Sequence, residues 1–277
     1  MSMDVPTLEV SVLGIGLLGP GLADWATGAP VLAGAQPWQQ GPTAIPPPAR
    51  LPPTERRRAG AVVKLAFAVA EQAVTQAGAD ASSLATVFAS SGADTANCHA
   101  LCEALAQPER IVSPTRFTNS VHNAAAGYWH IAAASRAAST SLAAFDGSFS
   151  AGLLEAAAQV VSTGQPVLLV AADLPYPQPL QAARPLPDAF GVALVLAPAG
   201  AAGPLARLGI GIRPRAAAPM TAGASDGFEA LRRDIPAARG LPLLEALASG
   251  AAPCALTLDY LDGLDLAVAV APAGAAR

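Results

Sequence analysis

Ser113-Pro-Thr-Arg-Phe-Thr-Asn-Ser-Val-His-Asn-Ala-Ala-Ala-Gly-Tyr-Trp-His-Ile-Ala is followed after six residues by Ser139-Thr-Ser-Leu-Ala-Ala-Phe-Asp-Gly. The first stretch begins as a loop on Ser113-Pro114 and becomes a helix near Asn123, where alanines take over from turn formers. Ser139 to Phe145 reads as a strand, Gly147 as a turn and Phe149 to Val161 as a helix. The Val/Leu-rich run Pro166 to Asp173 then fits another buried strand. The strand from Ser139 is built of small and apolar residues, which predicts a central place in a sheet with the helix from Phe149 buried behind it.

The pattern continues on both sides. Leu8 to Ile15 alternates as an opening strand that runs into a glycine-rich turn between Gly14 and Gly21. The proline-rich segment Gln36 to Pro53 reads as an extended surface connection. Thr54 can cap a single helix from Glu55 to about Ala77, with Val62, Leu65, Ala66, Val69 and Ala73 on one face and Gly78 as its stop. Ala85 to Ser91 suits a buried strand, Asn97 to Ala106 a helix, and Ala189 to Ala197 and Leu205 to Ile212 two further strands. Towards the C-terminus, Pro242 to Ala248 reads as a helix and Asp262-Gly263 as the turn of a hairpin. Strands alternating with helices predict an α/β layered architecture.

Composition narrows the function classes. The 277 residues are 52% hydrophobic and only 13% charged, with a net charge of −4. The longest basic run is Arg56-Arg57-Arg58, so there is no electrostatic footprint for nucleic acid. No uninterrupted apolar run is long enough for a membrane span, and the first thirty residues lack the pattern of a signal peptide. The three cysteines make no disulfide framework, which fits a cytoplasmic protein. A surface this lightly charged also fits cover by another subunit.

Three motifs suggest chemistry and are answered by their surroundings. Gly14-Ile-Gly16-Leu-Leu-Gly19 matches a dinucleotide fingerprint, but Pro20-Gly21 interrupts the required helix and no acid lies between Asp24 and Glu55, so no cofactor is expected. Cys98-His99 and Cys102 suggest a metal, yet no second ligand pair stands at zinc spacing; buried or half-buried helical cysteines are the expectation, and no metal. Ser148-Phe-Ser150-Ala-Gly152 opens a helix after a strand, the setting of a nucleophile elbow. A serine-dependent acyltransferase or hydrolase using Ser148 or Ser150 is therefore the alternative reading, although no histidine follows His130 to complete a triad.

Several of these segments, in order and at matching spacing, resemble the middle of the β-ketoacyl synthase family. They are Ser113-Pro114, the helix start at Asn123 with Ala126-Gly127, the strand, turn and helix from Ser139, the strand Val167 to Asp173, and Asp188-Ala-Phe-Gly-Val-Ala-Leu-Val-Leu-Ala. The resemblance reaches to about Ile212 and covers about three quarters of the chain. It implies a thiolase-like layered α-β-α fold truncated to about one thiolase half: a domain over residues 1–215 and a short α+β extension over 216–277 packed on it.

In an active ketosynthase a cysteine at the strand-to-helix turn takes the acyl chain, and two later histidines assist condensation. The corresponding turn here is Phe145-Asp146-Gly147, residues 103–253 contain no cysteine, and His99, His122 and His130 all precede the turn. The resemblance is strongest to chain-length factors, in particular the shorter kind found in aryl polyene pathways, which extends to Leu241-Pro-Leu-Leu-Glu-Ala-Leu. It implies a non-catalytic subunit in polyketide or fatty acid biosynthesis that forms a heterodimer with an active ketosynthase, shapes its acyl tunnel and extends to docking of acyl carrier protein. The implied interface residues are Arg116, Phe117, Asn123, Ala125, Tyr128 and Trp129, together with the strand from Ser139. Tyr128 and Trp129 fit core and interface equally, since aromatic residues favour both.

Overall fold

The computed structural model describes residues 7–215 and 219–273. Strand β1 (Leu8–Leu18) is followed by helices α1 (Trp25–Leu32), α2 (Pro53–Arg58) and α3 (Ala61–Ala77), then β2 (Ala85–Ala89), α4 (Thr95–Ala106), α5 (Pro114–Asn119) and α6 (Ala124–Ala133). Next come β3 (Ser139–Leu142), a 3-10 turn (Phe145–Gly147), α7 (Ser148–Thr163), β4 (Val167–Asp173), α8 (Leu180–Ala183), β5 (Phe190–Pro198) and β6 (Ala206–Pro214). The chain continues through α9 (Asp226–Asp234), a second 3-10 turn (Pro236–Gly240), α10 (Leu241–Ser249), β7 (Cys254–Asp259) and β8 (Leu264–Pro272).

Among the described residues these strands form one eight-stranded mixed sheet in the order β3-β2-β4-β5-β1-β6-β8-β7. Every residue of β4 is buried. Its side chains alternate, Val167, Leu169 and Ala171 entering one core with α7 and Leu168, Val170 and Ala172 the other with α3 and α6. Burial on both faces explains the unbroken apolar run and sets the helix, sheet, helix layering expected from the sequence. The hairpin at Asp262-Gly263 joins β7 to β8, and β8 pairs with β6, so the C-terminal strands continue the same sheet. The expected domain boundary abuts residues 216–218, which lie outside the described residues.

Four expectations are corrected. Gly14 and Gly16 lie inside β1, not in a turn after it. A Cβ on Gly14 would sit 2.0 Å from the Ala73 carbonyl oxygen, and one on Gly16 would sit 1.9 Å from that of Val69. The glycines therefore seat the α3 backbone directly on the strand, which accounts for the fingerprint match without a phosphate. The long helix is two helices, broken at Ala59, whose backbone is extended, and Gly60. Tertiary contacts outweigh helix propensity there: Asn119 donates to the Arg58 carbonyl at 2.9 Å, and Asp94 leaves no room for a side chain on Gly60.

β3 is short and stands at the sheet's edge, not its centre, parallel to β2 with Thr86 opposite Ser139. It ends at Leu142 because the chain turns into α7: the Ala144 N–H donates to Ser148 Oγ at 3.0 Å. Cys98 and Cys102 are exposed rather than buried. Partial desolvation, then Cys102, raise the Cys98 thiol above its ordinary value, and desolvation raises that of Cys254, the opposite of an activated thiolate.

Candidate functional site

The turn between β3 and α7 is built by its own side chains. Phe145 has φ of 50°, a left-handed conformation costly for a residue with a Cβ, and it forms the corner. Ser148 Oγ donates to the Phe145 carbonyl at 2.7 Å while accepting from Ala144 N–H, which closes the loop. A Cβ on Gly147 would stand 2.0 Å from the Tyr260 carbonyl oxygen, so the loop of the β7–β8 hairpin packs onto the turn and only glycine fits. Ser148 and Ser150 are both buried, and neither hydrogen-bonds a histidine among the described residues. Ser148 shapes the turn, and Ser150 is buried within α7.

Asp146 lies at the centre of a charge network. Its carboxylate accepts from Arg184 and, at 3.1 Å, from Arg239. Arg239 also pairs with Asp259 at 3.2 Å, and Asp259 with Arg232 at 2.6 Å. Glu229, bonded to Arg232 at 2.8 Å, has its carboxyl lowered to about 2 mainly by that hydrogen bond. Arg184 stacks its guanidinium 3.8 Å from the Phe145 ring centroid and donates to Tyr176 Oη at 2.7 Å. Tyr176 Oη in turn meets Ser91 Oγ at 2.8 Å, and Ser91 donates to Asp173. Burial pushes the Asp173 carboxyl above its ordinary value, against the pull of hydrogen bonds from Ser91, Ser90 and the Ala237 backbone.

A carboxylate held by two guanidiniums forms no acyl thioester, and the network joins α8, the Pro236–Gly240 turn and the terminal hairpin to the turn. Sequence reading missed Arg184, Tyr176, Arg239 and Asp173. No local spacing connects them to Asp146, and only the sheet topology brings them there.

The second feature is the outer edge of β3. The carbonyls of Ala138 and Leu142 accept from β2, so strand alternation turns the N–H and C=O of Ser139 and Ser141 outward, where no strand pairs with them among the described residues. Eleven large hydrophobic residues are exposed among the described residues, and six fall between positions 105 and 145: Leu105, Ile111, Phe117, Val121, Ile131 and Phe145. The unpaired edge of β3 thus lies in the same part of the chain as this concentration of exposed apolar side chains.

The structure divides the expected interface residues. Arg116, Phe117 and Asn123 are exposed and Ala125 is half-buried. Trp129 is fully buried, edge-on to Phe67 at 5.2 Å, and Tyr128 is 9% exposed with its hydroxyl donating to Asn119 at 3.0 Å. Of the two places the sequence left open for them, Trp129 and Tyr128 take the core of this chain. His122 and His130 are tied locally, to the Ser90 carbonyl at 3.1 Å and to Thr86 Oγ1 at 3.0 Å. Arg57, Arg58 and Arg116 line one open cleft of about 570 Å³ with Asn97, Ser113 and Asn119. Among the described residues no cluster of three or more His, Cys, Asp or Glu is placed to hold a metal, and no helix is long and apolar enough to cross a membrane.

The family profile described as "Beta-ketoacyl synthase, N-terminal domain" matches residues 32–255. The chain belongs to that family. No curated protein matches it significantly. Among solved structures it is similar to a chain of the ketosynthase ApeO in complex with its chain length factor ApeC from Xenorhabdus doucetiae, with 20% identity, 94% of this chain and 98% of that one covered, and a TM-score of 0.70. A chain of the ishigamide ketosynthase/chain length factor matches at 16% identity, with coverage of 96% and 99% and a TM-score of 0.72. The ketosynthase from module 6 of the bacillaene synthase of Bacillus subtilis 168 matches at 11% identity and a TM-score of 0.70, with 96% of this chain but 71% of that one covered. At these identities the likeness establishes a ketosynthase-like fold.

Proposed function

We propose that the chain is a non-catalytic, chain-length-factor-like subunit that pairs with an active β-ketoacyl synthase in type II polyketide biosynthesis, of the aryl polyene kind, or in fatty acid biosynthesis. The observation that carries this reading is the turn itself. The strand, corner and helix of a nucleophile site are in place, but the corner offers Phe145 and an Asp146 clamped between Arg184 and Arg239. Such a fold contributes through its surfaces, and the open edge of β3 with exposed Phe117 and Val121 supplies one suited to a subunit of the same fold. Pairing there places this chain along one wall of the partner's acyl tunnel. The cleft of Arg57, Arg58 and Arg116 offers charge-assisted hydrogen bonds to a phosphate, the chemistry a carrier protein's phosphopantetheine arm requires.

Co-expression with a ketosynthase from the same source tests the reading: a stable heterodimer is expected, and the isolated chain takes no acyl group from acyl carrier protein or coenzyme A in intact-mass measurement. A stoichiometric acyl adduct on the isolated chain would overturn it.

A further inference from the structure

All three cysteines of the chain are exposed, which is unusual for a residue type that ordinarily ranks among the most buried. Two of them, Cys98 and Cys102, stand one turn apart on α4, a helix seated by its one buried residue, Leu101. Residues at this spacing share a helix face, with Cβ atoms about 5–6 Å apart. The two thiols also sense each other: after desolvation, Cys102 is the largest influence raising the Cys98 thiol. The spacing is too wide for a disulfide, whose Cβ atoms stand about 3.5–4.5 Å apart, unless the helix deforms. It suits two thiolate–metal bonds of about 2.3 Å laid end to end.

The surroundings decide which metal. Zinc takes four ligands, and among the described residues no third His, Cys, Asp or Glu is placed with the pair to hold one. His99 Nε2 is engaged with Glu103 Oε1 at 3.3 Å, and Asp94 Oδ1 caps the helix by accepting from Asn97 N–H at 2.9 Å. Two sulfurs by themselves suit a soft cation that takes two ligands in line, and thiolates select monovalent copper. We propose a metal site that is independent of the subunit reading: Cys98 and Cys102 hold one Cu(I) ion between them as a two-coordinate dithiolate. Two S–H bonds break, two S–Cu bonds form and both protons pass to solvent, with no change of oxidation state. Thiols that start protonated make the affinity rise with pH.

The experiment titrates the reduced full chain with Cu(I) in the absence of oxygen, in competition with a coloured Cu(I) chelator, and reads sulfur-to-copper charge transfer in the ultraviolet. One Cu(I) per chain is expected, with affinity rising about a hundredfold per pH unit while both thiols start protonated, the mark of two displaced protons. Cys98→Ser and Cys102→Ser should each lower the affinity by at least about a hundredfold, whereas Cys254→Ser and His99→Ala should leave it unchanged. The cysteine variants should melt with the wild type, because the replaced side chains are exposed. No Cu(I) bound by the folded chain, undiminished binding by folded Cys98→Ser, or Zn(II) held as tightly as Cu(I) would each overturn the inference.

Discussion

Trp129 has no accessible surface; its ring meets Phe67 edge-on, and Arg50 lies 5.8 Å from its centroid. Replacing it with alanine opens a cavity between α3 and α6, and large-to-small changes of an aromatic core residue cost about 3–5 kcal/mol. Trp129→Ala should therefore lose that much stability in urea denaturation of the isolated chain, whatever it does to assembly. Phe117, at 68% exposure, has the opposite role. Phe117→Asp should leave the urea midpoint of the isolated chain nearly unchanged, because exposed substitutions usually fall within about 0.5 kcal/mol. It should weaken the heterodimer by sedimentation. The two aromatics could not be separated by sequence: both sit in one lightly charged stretch, and only the packing of α6 on α3 decides which turns inward. Ala125 is half-buried against the same core, so a charge introduced there disturbs the fold as well as any contact.

At the scale of elements, β3 carries the claim about association. Proline is tolerated on an edge strand where the lost N–H faces outward. Ser141 is such a position, so Ser141→Pro should leave the melting temperature of the isolated chain close to wild type and weaken the complex. A Ser141→Pro chain that assembles normally would show that the partner is not held through this edge. The buried strands β4 and β5 were legible because burial on both faces leaves an unbroken run of Val, Leu and Ala. β3 was misplaced at the centre of the sheet for a related reason: its Ser-Thr-Ser-Leu is small enough to suit a core, and strand order is a property of the whole sheet. The degenerate turn was legible from its cysteine-free surroundings. The arginines that clamp it lie 38 and 93 residues from Asp146 and left no mark in the local pattern.

Across the whole molecule, the C-terminal segment is joined to the rest by sheet pairing and by the chain of charges from Glu229 to Asp146. Its helix α10 also carries a pH-dependent weakness. Burial raises the Glu245 carboxyl from 4.5 to about 6, against the hydrogen bond it accepts from Ala224 N–H, and Glu229 adds repulsion. Between those values the folded chain holds more protons than the unfolded one, so this group makes stability fall as pH rises from about 4.5 through about 6 and then level off. Glu245→Gln should remove that part of the pH dependence, seen as a flatter melting temperature between pH about 4.5 and about 7. An unchanged slope in the variant would assign the dependence to other groups.

The central claim is that the chain works as the inactive half of a synthase. Its most direct test is condensation activity of the cognate ketosynthase measured alone, with this chain, and with the Ser141→Pro form, alongside sedimentation of each mixture. The account predicts that full activity requires the wild-type chain and follows the amount of heterodimer. Full activity of the ketosynthase alone, or turnover by this chain in isolation, would contradict it.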